Sequence, residues 1–294
     1  MSICHSVTDG FWGAITLDNF RSLFILEDRE TDRLRRDELR HQHSFLLGRR
    51  TVTLRHGQVD AGTGSSPWTG GVLLAQYLAA DPALQGALAA QPAWAARPLS
   101  GCKAIELGAG LGLVSLSAHL QGATVCATEG TESLLPLIRC NIQDNSSAAA
   151  AAQPAVLHLD WCDTAAVKQL LRATGPPDLV LGADLVYGRT GEFVLVHLAL
   201  VEAMVRLASA AGESAGSAHS FSRGGRGALV LYAHTRRFDG DDRAFWQCFD
   251  SFFDRAVVDT GLTAHAQQEG GARTQVWAAL LKASFVAKAQ QQEQ

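Results

Sequence analysis

The stretch AIELGAGLGLVSLS, residues 104–117, sets three glycines behind a short apolar run that carries an acid, Glu106. Gly108 and Gly110 have no Cβ, so their backbone N–H groups can come close to a ligand. A strand, a glycine turn and a helix in that order put the ligand at the carboxyl edge of a sheet, beside a helix N-terminus. A dinucleotide is the obvious candidate, and the spacing disagrees with it. The fingerprint G-x-G-x-x-G needs glycine at its sixth position, where this chain has Leu113. Glu106 would also repel two phosphates, whereas it suits a ligand that carries an ammonium and a sulfonium. A second acid, Glu129, closes the next apolar run, CATEG. It can accept hydrogen bonds from both ribose hydroxyls, a device that dinucleotide enzymes share. Its bland alternative is an acid favoured by a helix N-terminal dipole. Trp161, in LDWCD, can stack on an adenine or sit in the core.

The elements needed to position these residues are legible from residue 103 on. KAIEL, ATVCAT, AVLHLDW, PDLVLGADLVY and GALVLYA read as strands, each followed by a helical pattern. Regular alternation of this kind predicts a parallel sheet with helices on both faces. RAVVDT and TQVWAALLK close the chain as two further strands with no helix between, expected as an antiparallel hairpin at the sheet edge. The fold class is therefore α/β, a Rossmann-like sheet of seven strands. Pro136 should kink or shorten the helix over 131–145, for which Thr131 is the candidate cap. HSFLLGRRTVTLRH, residues 43–56, reads as a β-hairpin turning near Gly48. The expected division is an N-terminal extension over 1–66, a catalytic domain over 67–285 and a disordered tail over 286–294. The Ala- and Gly/Ser-rich stretches 146–155 and 209–227 read as loops.

Composition narrows the class of partner. Of 294 residues, 47% are hydrophobic, and the net charge is −4. That balance argues against a broad phosphate-backbone footprint, so no nucleic-acid partner is expected. The six cysteines form no CxxC pair, and buried free thiols in a reducing compartment are expected. His41 and His43 form an isolated HxH, and no metal is expected. No apolar run is long enough to cross a bilayer, and the N-terminus shows no basic segment followed by an apolar one. Neither a membrane span nor a secretory signal is therefore expected. These features point to a cytoplasmic chain, with a nuclear location as the alternative; a monomer is expected.

The alternation and the loop ELGAGLG resemble the seven-strand class I methyltransferases. Five pieces in order sharpen the likeness: SPWTGGVLLAQYL, the glycine loop, LPLIRCNIQDN, LDW and LGADLVYG. Together they resemble methyltransferase family 16, mainly protein-lysine methyltransferases, marked by a D-x-x-Y motif that is here Asp184-Leu185-Val186-Tyr187. The likeness implies S-adenosyl-L-methionine as cofactor and a protein as substrate. It implies that Trp68 contacts the cofactor and that Gly108, Ala109 and Gly110 line its methionine part, with Glu106 near the charged amino acid end. Glu129 takes the ribose place, where many relatives carry Asp. Trp161 lies by the adenine and Ala183 offers backbone contact. Asp184 orients the cofactor end or the substrate amine, and Tyr187 walls the target side chain. On that reading Asp184→Ala removes turnover and spares the fold. His234, in YAHTRRF, reads first as a structural residue, and second as a proton acceptor or a pocket wall. The expected activity is methylation of a protein lysine. A protein histidine, a small-molecule acceptor and an inactive cofactor-binding scaffold are the alternatives, with a nicotinamide oxidoreductase disfavoured by the loop spacing.

Overall fold

A computed structural model of the chain describes residues 42–57, 62–80, 98–146, 153–187, 193–210, 227–236, 242–258, 260 and 273–286. The stretches 1–41, most of 146–155, 211–226 and 287–294 lie outside the described residues, and with them the expectations placed there.

The first element is the hairpin, β1 (Gln42–Leu47) and β2 (Arg50–Arg55), turning through Gly48 at φ 59°. Helix α1 (Thr69–Ala79) follows. The sheet then builds through β3 (Lys103–Leu107), α2 (Leu113–Leu120), β4 (Thr124–Glu129), α3 (Leu135–Asn145), β5 (Ala155–His158), α4 (Thr164–Thr174) and β6 (Leu179–Ala183). It is completed by α5 (Val194–Ala210), β7 (Leu229–Arg236), α6 (Arg243–Phe252), β8 (Phe253–Val258) and β9 (Arg273–Leu281). Seven strands stand in the order β5-β4-β3-β6-β7-β9-β8. The first five are parallel, and β9 pairs antiparallel with both β7 and β8. The terminal hairpin is thus present, with β9 slotted inside and β8 at the edge.

Alternation along the strands explains the two layers. Ala104, Leu179, Leu181, Leu229 and Leu231 join the core beneath α1, α2 and α3. Ile105, Leu107, Val180, Val230 and Tyr232 join the core beneath α4, α5 and α6. Strands buried on both sides read as unbroken apolar runs, which is the pattern of KAIEL and DLVLGA. The chain order reverses between β3 and β6, so their carboxyl ends open the crevice where a doubly wound sheet takes its ligand.

Two local readings change. The helix expected over 131–145 opens with a 3₁₀ turn, Glu132–Leu134, and α3 proper begins at Leu135. Pro136 then lies in its first turn, where no N–H is required. Thr131 makes no side-chain capping bond. A true side-chain cap occurs on α4, where Asp163 accepts from the N–H groups of Ala165 and Ala166.

The hairpin is fastened to the sheet domain by two asparagines that imitate a strand. Asn141 Oδ1 accepts from Arg55 N at 2.8 Å, and its Nδ2 donates to Arg55 O at 3.0 Å. One turn on, Asn145 repeats the pair with Thr53 at 2.9 and 2.8 Å. Asn141 Nδ2 also donates to Leu111 O in the glycine loop at 3.1 Å. Leu47, Val52 and Leu54 of the hairpin join the same core as α1 and α3. Asn141 is fully buried, so Asn141→Ala strands one donor and two acceptors. We expect a loss of about 2 kcal/mol, read as a lower urea midpoint with an unchanged slope.

Candidate functional site at the carboxyl edge of the sheet

The glycine loop leaves β3 and enters α2 through three left-handed residues, Gly108, Gly110 and Gly112, at φ 61°, 54° and 82°. Such backbone strongly favours glycine. Space adds a second reason. A Cβ on Gly108 would stand 2.4 Å from Leu185 Cδ2 and 3.3 Å from Trp161 Cζ3. A Cβ on Gly110 would stand 3.3 Å from Gly64 O. Trp161 and the D-x-x-Y turn therefore flank Gly108, and a 3₁₀ turn over Gly62–Ser65 presses on Gly110. That turn is fixed by Trp68, whose indole N–H donates to Thr63 O at 2.7 Å. Trp68 is itself the N-cap residue of α1, in extended conformation.

Glu129 ends β4 and is 9% exposed. Its carboxylate accepts from Gly110 N at 3.0 Å and Thr131 N at 3.0 Å. It is the tie between the glycine loop and the next strand. Trp161 is half-buried, and its Nε1 is enclosed with no hydrogen-bond partner. Tyr187 is close enough to Glu129 and Cys162 to feel their charge. Burial first, then those two groups, push its phenol up to about 12. Its carbonyl meets His197 Nε2 at 3.2 Å.

Asp184 is a strut. It is the one described non-glycine residue with positive φ, 51°, and it is buried. One carboxylate oxygen accepts from Thr235 N at 2.7 Å, and the other from Gly70 N at 2.8 Å and Thr235 Oγ1 at 3.0 Å. It thus joins the end of β6 to β7 and to the first turn of α1. A charged acceptor at a helix N-terminus is favoured. Gly70 must be glycine, because a Cβ there would meet the Asp184 carboxyl carbon at 2.8 Å. Ala183, partly buried, closes β6 immediately before the strut.

Glu106 lies at 2% exposure on β3. Ser115 N donates to its Oε2 at 2.8 Å and Ser115 Oγ donates to the same oxygen. Burial pushes its carboxyl up to about 8 against those two bonds, with Glu129 adding to the rise. The ordinary value is 4.5. The contribution to stability is therefore complete below that value and is lost as pH rises through about 8. Between the two values the wild-type chain should lose stability by on the order of 1.4 kcal/mol per pH unit. Urea midpoints of the wild type and Glu106→Gln from pH 5 to 9 measure this, the difference between the two profiles falling as pH rises through about 8.

The structure thus gathers Gly108, Gly110, Trp161, Tyr187 and Glu129 at one edge, with Trp68 fixing the turn that closes on Gly110. Ala109 is buried, its N–H donating to Thr128 O at 2.9 Å. Glu106 is bound from α2, and Asp184 spans three elements. Sequence reasoning missed Thr235, Gly70 and Ser115, the partners that give both acids their settings. The doubled glycine of PWTGG was a signal for Gly70. Thr235 and Ser115 carried none.

The residues fit a nucleoside ligand with a charged tail: a loop only glycine can line, an acid between loop and second strand, and an enclosed indole N–H lacking an acceptor. A seven-strand, mostly parallel sheet with its reversal at this edge defines a Rossmann-like α/β protein. The lysine methyltransferase family model matches residues 49–208, more than half of the chain, and the chain belongs to that family, which uses S-adenosylmethionine as methyl donor. Among curated relatives, the mouse protein N-lysine methyltransferase METTL21A is 31% identical over 146 residues, 49% of this chain and 57% of its own. The Bos taurus protein-lysine methyltransferase METTL21E is 45% identical over 83 residues, 28% of each chain. The mouse EEF1A lysine methyltransferase 3 is 40% identical over 89 residues, 30% of this chain and 34% of its own. The alignments therefore span less than two thirds of these relatives. Among the described residues no helix is long and apolar enough to cross a membrane, and no cluster of His, Cys, Asp and Glu is arranged to hold a metal.

Proposed function

We propose that the chain transfers a methyl group from S-adenosylmethionine to a lysine side chain of a protein substrate. The observation that carries this is the joint placement of the left-handed glycine loop, Glu129 and the D-x-x-Y turn on one edge, in a chain of the lysine methyltransferase family. The bound cofactor supplies an electrophilic methyl carbon on a sulfonium. Gly108 and Gly110 admit its amino acid portion against backbone. Glu129 holds the loop closed and has lone pairs left for ribose hydroxyls. Trp161 offers an aromatic face and an unused N–H to the base. Trp68, by bracing the Gly62–Ser65 turn, walls the side of the loop away from Trp161. Ala183 ends the strand beside the reacting face. Glu106 lies below the loop, where a cation bound above would favour its ionised form.

An activated methyl needs alignment more than acid–base machinery, so the chain's main task is to hold a nucleophile in line with the sulfonium carbon. Asp184 does this at one remove. By locking Gly70, Thr235 and the turn that carries Tyr187, it holds the wall past which the substrate side chain must enter. Tyr187, with its phenol held protonated well past neutrality, can pack along an alkyl chain without adding charge.

The names of the relatives favour lysine over histidine or a small molecule as acceptor. We place the chain in the cytoplasm or nucleus, acting as a monomer on protein. Incubation with tritiated S-adenosylmethionine and cofactor-depleted cell lysate, followed by mapping of the labelled residue, tests the reading. Label on a lysine of a protein is the expected result. Label only on small molecules or nucleic acid, or none while the folded chain binds cofactor, would overturn it.

A further inference from the structure

Between β7, α5 and α6 lies a polar cluster that the methyl-transfer reading does not use. His234 sits two residues before the end of β7 and is 6% exposed. Its Nε2 is 3.1 Å from Asp242 Oδ2. The same carboxylate oxygen accepts from Trp246 Nε1 at 2.8 Å. Asp242 is the N-cap residue of α6, yet its side chain caps nothing and turns instead to these two rings. The bond from His234 first, against partial burial, and that from Trp246 next hold its carboxyl below the usual range, so it is ionised at neutral pH. An ionised carboxylate can only accept. When the His234 ring is neutral its proton is therefore on Nε2 and its lone pair on Nδ1. That atom is enclosed and has no hydrogen-bond partner. The ring is also held from the side. Trp246 meets it edge-on at 5.6 Å, and Trp246 is in turn backed by Arg255, whose guanidinium lies 4.2 Å from its ring centre and 4.1 Å from that of Trp277.

A buried base with its tautomer set by a carboxylate and its acceptor nitrogen unused is an arrangement waiting for a proton donor. The reaction proposed above must produce one. A lysine amine reaches this site as an ammonium and cannot attack carbon until a proton leaves. β7 lies next to β6, whose end carries Asp184, and Thr235, adjacent to His234, is bonded to that strut. His197, bonded to the Tyr187 carbonyl, is near enough to His234 for its charge to be felt.

We propose that His234, oriented by Asp242, accepts the proton that the substrate ammonium sheds before methyl transfer. This rests on the lysine reading. In the step, an N–H bond of the ammonium breaks and an N–H bond forms at Nδ1, the positive charge passing to an imidazolium next to the Asp242 carboxylate. The freed lone pair then forms the N–C bond as the carbon–sulfur bond breaks, its electrons remaining on sulfur. The imidazolium returns its proton to water as product leaves. The titratable groups around the ring are Asp242 of α6 at its Nε2, Tyr232 of β7 stacked on it at 6.1 Å and His197 of α5, with Arg236 acting on Asp242 and Asp184 on Tyr232 in turn.

Two measurements on the full chain test this. Long-range ¹⁵N–¹H spectra of histidine-labelled protein at pH 7.5, assigned by the signal missing from His234→Gln, should show a neutral His234 ring with its proton on Nε2. A proton on Nδ1 alone, or an imidazolium, overturns the proposal. Single-turnover labelling of a lysine in the lysate protein by tritiated S-adenosylmethionine should slow a hundredfold or more in His234→Gln at pH 7.5. Cofactor binding by calorimetry should be unchanged. The gap should narrow towards pH 10, where a lysine amine loses its proton unaided. If the wild type labels lysine and His234→Gln matches it at pH 7.5, this proposal alone falls. If the wild type labels no lysine, the lysine reading falls and takes the proposal with it.

Discussion

Asp184→Ala should cost the fold about 4 kcal/mol and abolish methyl transfer. Three buried donors converge on this carboxylate, from Gly70 N, Thr235 N and Thr235 Oγ1. Gly70 N and Thr235 N lose their acceptor, at about 1–3 kcal/mol per group, whereas the Thr235 hydroxyl can turn to Thr274 Oγ1 at 3.0 Å. Alanine gives nothing back, because the left-handed backbone at φ 51° is no easier for it than for aspartate. Asp184→Asn separates geometry from charge. It tolerates the same backbone and keeps one accepting oxygen, but its amide nitrogen faces at least one N–H or O–H that needs an acceptor. One buried donor left unmet corresponds to about 2 kcal/mol of lost stability. Labelling should fall at least tenfold through displacement of α1 and the Tyr187 turn. Urea unfolding of both variants, alongside transfer assays, reads the two effects. An alanine variant within about 0.5 kcal/mol of wild type, the size usual for plain surface changes, would contradict the strut. The sequence-based expectation that this variant spares the fold is the point the structure alters most.

Glu129→Ala should weaken S-adenosylmethionine binding at least a hundredfold and cost the fold about 3 kcal/mol. The carboxylate spans Gly110 N and Thr131 N, each at 3.0 Å. Hydrogen bonds to a charged group contribute about 1.5–3 kcal/mol each. Their loss frees the glycine loop, and the ribose acceptor goes with them. Glu129→Asp is the informative control. A side chain one methylene shorter cannot reach both N–H groups from the same backbone, so about a tenfold loss is expected. Titration calorimetry of the three chains gives the ordering. Equal affinities for wild type and alanine would remove Glu129 from the site.

What was legible in the sequence was what repeats. Short apolar runs separated by helical patterns marked the parallel strands, because burial on both faces leaves an unbroken signal. Gly108, Gly110 and Gly112 announced a tight turn, and the structure puts all three in the left-handed region. Side-chain destinations were not legible. Asp184 and Glu106 are both acids at strand ends, and nothing in their neighbours shows that one is met from β7 and α1 and the other from α2. The partners lie 114 and 51 residues away for Asp184 and 9 for Glu106. Asn141 and Asn145 sat inside a motif that was read for its place after the second strand, while their side chains stand in for a strand beside the hairpin. Pro136 was read as kinking or shortening a helix over 131–145, and the structure shortens it to begin at Leu135, because the 3₁₀ turn ahead of it has no signature distinct from a helix start.

Everything proposed for this edge of the sheet depends on the glycine loop holding S-adenosylmethionine. Calorimetric titration of the full chain with S-adenosylmethionine, and in parallel with NADH, decides that point. Saturable one-to-one binding of the first is predicted, abolished or much weakened in Glu129→Ala, with no heat from the second. A folded chain that binds NADH and not S-adenosylmethionine, or that binds neither, would contradict it.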